Sequence, residues 1–281
     1  MKIKVHAVCM ALNEAPFVRN VIKTLYPFCS GISFISQYDR DYYGRMIEPD
    51  QTIPYILDYP DPEGKIHLTV RRFRDETAAR NMEMLSHLTR PDRKIISHGV
   101  DMKIIRDFHA PPDYFLIVDA DELYDIDTFG NVLEYLGKKK PRGMRMSAYE
   151  YVATWNQRIP WERYVFHQFG FIKAGLLFEQ RRVLSWNEIR LRTMLQKLKI
   201  EDYAARAFGF IDCPTEVGIF HHGAFLGGEA RMKEKFAKHS HLERKDPELH
   251  KKLLNQYYEH VPTSELPRNI REGEWPSNFF D

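Results

Sequence analysis

A run of apolar residues that ends abruptly in carboxylates constrains the fold of this chain more than any other stretch. Residues 114–118 read YFLIV, an apolar and β-branched segment typical of a strand that is buried on both faces. Asp119, Asp121 and Glu122 follow it directly. A buried strand that ends in this way places its carboxylates at the carboxyl edge of a sheet, where open α/β folds bind ligands. The stretch therefore predicts an α/β fold with a ligand site at this edge.

Asp119 and Asp121 form a D-x-D pattern that could hold a cation. Side chains two positions apart on a strand share a face, so we expect these two carboxylates to point the same way. Like charges held close together repel each other unless a cation lies between them. Carboxylate oxygens suit Mn²⁺ or Mg²⁺, which bind one or two protein carboxylates together with substrate phosphates. A solvated acidic turn after a core strand is the alternative interpretation of the D-x-D pattern alone.

The N-terminal residues predict a β-α-β unit, the first half of a mononucleotide-binding sheet. A strand over residues 3–10 precedes a helix for which Asn13 is the candidate N-cap, with Pro16 in the first turn. A second strand starts at Gly31 and ends shortly before Asp39. The sequence after the first strand contains neither a G-x-G-x-x-G motif nor a P-loop, which disfavours a dinucleotide cofactor.

Residues 42–65 lack periodicity and predict a long loop before a third strand over residues 67–73. Asp75 is the predicted cap of the amphipathic helix that follows. Arg74 precedes this helix and Arg80 lies within it. Either both arginines are solvated, or one of them binds an anionic ligand.

The chain beyond the central strand predicts a mixture of helices and antiparallel strands. A helix over residues 127–136 is expected to end at Gly137 and a basic turn. Two alternating, aromatic segments then predict an antiparallel strand pair. These two strands are expected over residues 143–155 and 163–172. The helices predicted after them cover residues 186–199, 229–243 and 247–261.

Composition excludes several classes of protein. The 41 basic and 39 acidic residues give a net charge of +2, which does not indicate a dedicated nucleic-acid-binding protein. Cys9, Cys29 and Cys213 lack CxxC spacing, so we expect no disulfide framework. No apolar run approaches the roughly 20 residues that span a bilayer, and the N-terminus does not resemble a signal peptide. The sequence thus predicts a cytoplasmic chain without an integral membrane segment.

A second group of candidate residues lies about a hundred positions after the D-x-D pattern. His221 and His222 end an apolar segment and precede the pair Gly227-Gly228. A lone histidine is more often a core or surface residue, but an imidazole could complete an octahedral Mn²⁺ site with the carboxylates. The glycines permit close backbone approach, and Lys235 on the predicted basic helix could neutralise a diphosphate.

These motifs resemble those of nucleotide-sugar-dependent glycosyltransferases of the GT-A fold. ALNEAPFVRNVIKTL and RDETAARNMEM are similar to the opening and third-strand helix of family 2 enzymes, and IVDADELYD is similar to their D-x-D segment. The later part is similar to the family 17 β-1,4-N-acetylglucosaminyltransferases, except that His221 replaces a tryptophan and a proline after the acidic turn is absent. The positions that match that family's pattern are His222, Gly227, Gly228, Lys235, His241 and Glu243.

The resemblance implies a role for each matching residue. Asp119 would contact the ribose or the metal, Asp121 would be the main metal ligand, and His222 would be the distal ligand. The cofactor would be Mn²⁺ or Mg²⁺, and the co-substrate a nucleotide-sugar donor. The expected nucleotide-binding residues are Asn13, Glu14, Asp39, Arg74, Arg80, Asp119 and Lys235. Asp39 lies where such enzymes read the nucleobase, which favours a UDP-sugar.

The transferase implied by the resemblance would be of the hexosyl or N-acetylhexosaminyl type and inverting. An inverting enzyme needs a carboxylate base to deprotonate the acceptor hydroxyl. No motif identifies this base, and Asp212 and Glu216 are the candidates because they lie just before His222. Surface loop carboxylates are the alternative interpretation for each. The acceptor could be a glycan, a protein, a lipid-linked sugar or a modified nucleic-acid base, and the sequence does not indicate an oligomeric state.

The expected architecture is a GT-A-type, mixed and mostly parallel sheet flanked by helices, with a helical C-terminal extension. Residues 1–245 would form the catalytic domain, with a nucleotide-binding half over about 1–122 and an acceptor half over about 123–245. Residues 246–281 would form a C-terminal helix and tail.

Three other functions share some of these sequence features. A haloacid-dehalogenase-type phosphatase would need Thr or Val where Leu123 stands, and its motif would lie near the N-terminus. A sugar-nucleotidyltransferase shares the mononucleotide sheet but normally has a Gly-rich, basic phosphate loop after the first strand. A catalytically inactive nucleotide-sugar-binding module has the same residues and would differ only in turnover.

Overall fold

The computed structural model describes residues 3–37, 40, 45–88, 95–97, 100–102, 111–160, 166–178, 209–227 and 258–280. The strands are β1 (Val5–Met10), β2 (Gly31–Ser36), β3 (Ile66–Val70), β4 (Ile95–Ser97), β5 (Val100–Met102), β6 (Tyr114–Asp119), β7 (Glu122–Tyr124), β8 (Gly143–Arg158), β9 (Phe166–Lys173), β10 (Phe210–Asp212), β11 (Phe220–Leu226) and β12 (Glu259–His260). The helices are α1 (Ala15–Leu25), α2 (Thr52–Leu57), α3 (Glu76–Leu88), α4 (Phe129–Lys139) and α5 (Arg268–Arg271).

The described strands other than β4 and β5 form one sheet in the order β3-β2-β1-β6-β9-β8-β11-β7, with β10 and β12 paired to β8. β3, β2, β1 and β6 are parallel to one another, whereas β9 is antiparallel to both of its neighbours. β11 is parallel to β8 and antiparallel to β7. The predicted α/β fold, with a mixed and mostly parallel sheet flanked by helices, is confirmed.

The carboxyl ends of the two central strands lie side by side. Met10 of β1 pairs with Asp119 of β6, and the N–H of Ala120 donates to the Met10 carbonyl over 3.0 Å. β6 is fully apolar and buried up to Val118, as a central parallel strand covered on both faces should be. The first acid of the D-x-D pattern therefore stands at the end of a buried strand, as predicted.

The N-terminus of α1 differs from the prediction. The helix begins at Ala15 with Pro16 in its first turn, and the capping position is Glu14, not Asn13. Thr52 Oγ1 accepts the Glu14 N–H over 2.7 Å and Asp50 Oδ2 accepts the Ala15 N–H over 3.0 Å. A neighbouring segment thus satisfies the first helical donors, so no local side-chain cap is required. Asn13 adopts a left-handed backbone with φ 55° and its amide donates to the Glu48 carbonyl.

Three further expectations are wrong in part. The predicted loop over 42–65 contains α2, which provides Thr52 to the N-terminus of α1. α4 continues through Gly137 to Lys139, and its C-cap Lys140, with a φ of 47°, is the left-handed residue that is usually glycine. The helix predicted over 247–261 does not include Glu259–His260, which form β12. The helices predicted over 186–199 and 229–243 lie outside the described residues.

Two other local predictions, the cap of α3 and the antiparallel pairing of β8 with β9, are confirmed. Asp75 caps α3, because its Oδ1 accepts the Ala78 N–H over 2.8 Å. β8 and β9 are antiparallel, as the alternating aromatic segments predicted. Cys9, Cys29 and Cys213 are buried free thiols. Within the described ranges, no helix has the length and apolarity that crossing a membrane would require.

The C-terminal segment 258–280 packs into the main core. Ile270 and Phe279 are buried in the same apolar cluster as α1 and β6. Asn269 is buried and its amide donates to Thr24 Oγ1 of α1 and to the Tyr124 carbonyl. The C-terminal segment thus contacts α1, and the predicted domain boundary at residue 245 stays a prediction.

The Asp61 side chain connects the end of α1 with the start of β3 through hydrogen bonds. We expect Asp61→Ala to lower the free energy of unfolding by about 2 kcal/mol at pH 7. Its carboxylate accepts the Tyr26 hydroxyl and the N–H groups of Lys65 and Ile66, each over 2.8 Å. Burial raises its pKa, but these donors outweigh burial and leave the pKa below the ordinary 3.8. Chemical unfolding of the wild type and the variant measures the difference.

The pH dependence and a surface control test the same prediction. Because the folded-state pKa is lowered, the Asp61 contribution is fully present above the ordinary carboxyl pKa and is lost as the pH falls through the folded value. The difference between wild type and variant should therefore shrink below about pH 4. Asp58→Ala changes an exposed aspartate of the same segment and should alter stability by less than about 0.5 kcal/mol. Equal effects of the two variants would contradict the anchoring role of Asp61.

Candidate functional site

The two aspartates of the D-x-D pattern belong to different local structures, because Asp119 ends a strand and Asp121 lies in the turn after it. β6 ends at Asp119, Ala120 and Asp121 form a turn, and β7 begins at Glu122. The alternation rule for strands therefore does not apply to Asp121. The expectation that the Asp119 and Asp121 carboxylates point the same way assumed that both residues lie on one strand, which they do not. Asp121 is buried, whereas the Asp119 side chain is 36% exposed.

Arg80 of α3 forms an ion pair with Asp119. Its guanidinium Nη2 lies 2.6 Å from Asp119 Oδ1 and its Nη1 lies 3.2 Å from Glu76 Oε2. The Arg80 side chain is only 2% exposed, so it is not a solvated helix residue, and it contacts an anionic group of the protein itself. Arg74 is 89% exposed and pairs with the adjacent Asp75.

Glu122 fixes the turn that carries Asp121. Its buried carboxylate accepts the Asp119 N–H through Oε2 over 3.1 Å, and the Gln168 amide donates to Oε1. The carbonyl of Asp121 accepts the Gly223 N–H over 2.8 Å. The turn is thus held by hydrogen bonds from β6, β9 and β11 at once, which sets the position of the Asp121 carboxylate.

A row of three ionisable side chains crosses neighbouring strands beside this turn. His222 of β11 is paired in register with Glu122 of β7 and with Glu150 of β8. Directly paired residues on adjacent strands share a face of the sheet, so the three side chains lie on one face. His222 Nδ1 lies 2.7 Å from Glu150 Oε2, and His222 Nε2 lies 3.7 Å from Asp121 Oδ1.

The two adjacent histidines have opposite surroundings, as the alternation of β11 predicts. Burial lowers the pKa of His222, but the Glu150 carboxylate, with Glu122 and Asp119, outweighs it and raises that pKa to about 9. His221 lies in the other direction, with Nδ1 2.9 Å from the Tyr151 hydroxyl. Burial, with Arg158 nearby, lowers the pKa of His221 to about 3. His222 is therefore the histidine that joins the acidic cluster.

The N-terminal candidates lie at the same edge of the sheet. Asn13 and Glu14 follow β1, the strand whose last residue pairs with Asp119. Gly227 follows β11 with a φ of 85°, a left-handed backbone that favours glycine, and donates its N–H to the Ala153 carbonyl. Asp39, Gly228, Lys235, His241 and Glu243 lie outside the described residues.

The structure does not bring the two predicted base candidates to the cluster. Asp212 is exposed and makes a two-point ion pair with Arg145, whose Nε and Nη2 lie 2.5 and 2.6 Å from its oxygens. Asp212 is in register with Arg145 of β8, five residues before Glu150 and hence about 16 Å away along the strand. Glu216 is exposed in the turn between β10 and β11.

Asp121 and His222 fit a divalent cation. Carboxylate and imidazole are both ligands of Mn²⁺, and metal-bound histidines usually have their other ring nitrogen on a carboxylate, as Nδ1 of His222 is on Glu150. In the part of the chain that the structure describes, no three His, Cys, Asp or Glu side chains are grouped to hold a metal by themselves. Mg²⁺ and Mn²⁺ sites of phosphate-transferring enzymes commonly use one or two protein ligands and take the rest from phosphate and water.

Sequence reasoning did not identify Glu150 or Gln168 as part of the site. Glu150 is a lone acid in the aromatic strand YEYVATW, at a position whose alternation points it into the protein. An inward acid on an apolar strand is a signal of a buried polar contact. Its partner His222 is 72 residues away, so the contact itself could not be read from the sequence.

Comparison with known proteins gives partial structural matches only. No family model matches the chain, and no curated protein sequence matches it. The fold is similar to parts of S. aureus TarS, with 10% identity, a TM-score of 0.40, and coverage of 78% of this chain and 36% of that chain. S. aureus TarS 1–349 in complex with UDP-GlcNAc is 14% identical with a TM-score of 0.33 over 56% of this chain and 37% of that chain. The chain thus spans little more than a third of the length of these structures.

Proposed function

We propose that this protein is a metal-dependent glycosyltransferase that moves a sugar from a nucleoside-diphosphate donor, with a UDP-sugar favoured, to a hydroxyl acceptor. The observation that carries the proposal is the meeting of Asp121 and His222, with Oδ1 and Nε2 3.7 Å apart, at the carboxyl edge of β6. This edge is where open α/β sheets bind nucleotides. The D-x-D, Gly-Gly and histidine pattern of the sequence supports the same assignment.

Each side chain of the cluster has a distinct task in this proposal. Asp121 and His222 would hold Mn²⁺ or Mg²⁺, which acts when bound as a Lewis acid on the donor diphosphate and stabilises the leaving group. Asp119, kept in place by Arg80, would contact the ribose or the metal at the same edge. Glu14 and the neighbouring loop after β1 would line the nucleotide pocket. These residues orient the donor so that its anomeric carbon is held for attack by the acceptor hydroxyl.

The acceptor side of the proposal needs a carboxylate base. Asp212 and Glu216 stay the candidates from the sequence. Asp212 would have to leave its ion pair with Arg145 to act as that base. An inverting reaction breaks the bond between the anomeric carbon and the diphosphate oxygen while the hydroxyl oxygen forms the new one, and the base takes the hydroxyl proton.

We expect UDP binding to require both a divalent cation and the two candidate ligands. Asp121→Asn and His222→Ala should each weaken Mn²⁺-dependent UDP binding by about 10- to 100-fold, the scale seen when metal-site residues are perturbed. His221→Ala should mainly lower stability, because His221 is buried against Tyr151 rather than facing Asp121. Calorimetric titration of UDP, GDP and CDP with Mn²⁺, and again with EDTA, measures these differences.

The control is Asp127→Asn, a change of the same kind in the same acidic segment. Asp127 is half exposed and pairs with Arg268 at the surface, so this variant should bind UDP as the wild type does. Binding of UDP that is unchanged in EDTA or in Asp121→Asn would remove the metal site. Product analysis with a UDP-sugar separates the alternatives, because release of UDP indicates glycosyl transfer and formation of pyrophosphate indicates nucleotidyl transfer. Binding without turnover in a panel of acceptors would indicate an inactive module.

A further inference from the structure

Glu150 occupies a position that the proposed function does not yet explain. It lies in the middle of β8, and its side chain is 3% exposed. The neighbouring residues Tyr149 and Tyr151 face the other side of the strand, where the second of them contacts His221. Glu150 is thus a buried carboxylate on the Nδ1 side of the His222 imidazole, whereas Asp121 lies on the Nε2 side.

The contact between Glu150 and His222 determines which ring nitrogen faces the acids. Glu150 Oε2 is 2.7 Å from Nδ1, and a carboxylate can only accept a hydrogen bond, so Nδ1 carries a hydrogen. This holds whether the imidazole is neutral or charged. Nε2, the nitrogen on the Asp121 side, is then the one available to bind a cation when the ring is neutral.

The other oxygen of Glu150 shows that this carboxylate is costly to bury. Oε1 is buried and has no hydrogen-bond partner among the residues that the structure describes. Burying an acceptor without a partner is unfavourable, and the cost is larger when the acceptor carries a charge. A carboxylate buried in this way is expected to act on His222, its hydrogen-bond partner among the described residues.

We propose that Glu150 is a positioning residue that fixes the His222 ring, holding hydrogen on Nδ1 and directing Nε2 towards Asp121. The inference rests on the proposed function, because the group bound between Nε2 and Asp121 is the divalent cation of that proposal. It adds a residue that acts on the metal through His222 without contacting the metal. Carboxylates that orient metal-binding histidines in this way usually affect metal affinity by 10- to 100-fold.

The test compares Mn²⁺ affinity in Glu150→Gln with that of the wild type, measured by EPR of free Mn²⁺ in the presence of UDP. Glutamine has almost the same shape, but its amide can present either an acceptor or a donor to Nδ1, so the ring orientation is no longer fixed. We expect affinity for Mn²⁺ to fall about 10-fold, with little change in melting temperature. Glu150→Asp keeps the charge but moves the carboxylate oxygens away from Nδ1, so it should also bind Mn²⁺ more weakly. This variant replaces Glu150→Gln in the test if the glutamine variant does not fold.

Two further measurements distinguish positioning from a general effect on the fold. In ¹⁵N-histidine-labelled protein, the Nδ1 proton of His222 should give a slowly exchanging, downfield ring signal that is lost in Glu150→Gln and kept in Asp121→Asn. In the double variant Glu150→Gln/His222→Ala, Mn²⁺ affinity should equal that of His222→Ala alone, because Glu150 acts only through the imidazole. Glu259→Gln is the control. It removes a carboxylate of β12 that pairs with Arg158 at the end of β8, and it should leave Mn²⁺ affinity unchanged.

The outcomes separate this inference from the proposed function. If the wild type binds Mn²⁺ and Glu150→Gln binds it equally well, the role of Glu150 is overturned and the metal site stands. An additional loss in the double variant would also overturn it, because Glu150 would then act independently of His222. If the wild type does not bind Mn²⁺ with UDP, both the metal site and the inference that rests on it are wrong.

Discussion

Replacing Trp155 with alanine should lower the free energy of unfolding by about 4 kcal/mol, within the range for buried aromatic residues. Trp155 lies near the end of β8 and is 0% exposed. Its ring contacts Tyr151 and Trp275 edge to face, with centroids 5.0 and 5.2 Å apart, and the second contact joins β8 to the C-terminal segment. The truncation would leave a cavity between the strand and this segment that neither can fill. Urea unfolding monitored by far-ultraviolet circular dichroism, a signal that does not depend on tryptophan fluorescence, measures the loss.

Trp155→Phe is the matched variant that separates burial from polar contact. The indole Nε1 of Trp155 is buried and has no hydrogen-bond partner in the part of the chain described. Phenylalanine keeps an aromatic ring in the stack and removes this unpaired donor, so we expect a loss of only about 1 kcal/mol. A loss below about 1 kcal/mol for Trp155→Ala would show that the C-terminal segment does not depend on this stack.

The strand and helix pattern of the N-terminal half could be predicted because it is encoded locally. The apolar runs that form β1 and β6 and the amphipathic run of α3 contain their own periodicity, and Asp75 caps α3 within three residues of its donor. Alternation also predicts that only one of His221 and His222 faces the acidic residues. This prediction requires only that the segment is an extended strand. Such features depend on neighbours in sequence, which is why they can be read from one chain.

The parts of the site that could not be predicted depend on register between distant segments. The position of Asp121 is set by a turn of two residues, and the contact of His222 with Glu150 by the pairing of β11 with β8. The cap of α1 is another example, because Thr52 replaces Asn13 from a segment that has no periodicity. Asp212 is near His222 in sequence, yet β10 runs beside the start of β8 and places Asp212 next to Arg145.

Arg80 is the residue for which the sequence allowed two interpretations and the structure gives a third. It is a buried cation held between two carboxylates of the protein, at the edge of the candidate site. Replacing it leaves Asp119 and Glu76 near each other without the charge that separates them. Replacing Arg80 should therefore change both the free energy of unfolding and the electrostatic surroundings of the Asp119 carboxylate.

We expect Arg80→Met to lower the free energy of unfolding by about 3 kcal/mol, the lower end of the range for breaking a buried ion pair. The lower end applies because Asp119 is partly exposed and water can solvate its charge once the guanidinium is gone. Methionine retains most of the aliphatic volume, so the loss reports the charge rather than a cavity. Arg74→Met, at the exposed arginine before the same helix, should change stability by less than about 0.5 kcal/mol.

A second substitution decides whether the loss arises from Asp119. In the Asp119→Asn background the Arg80→Met change should cost about 1–2 kcal/mol less, because no carboxylate is left there for the guanidinium to neutralise. Glu76 would account for the remaining loss through its own contact with Arg80. Equal costs in the two backgrounds would show that Arg80 stabilises α3 through Glu76 alone. The Asp119 carboxylate would then be held at the sheet edge by its backbone, independently of the helix beside it.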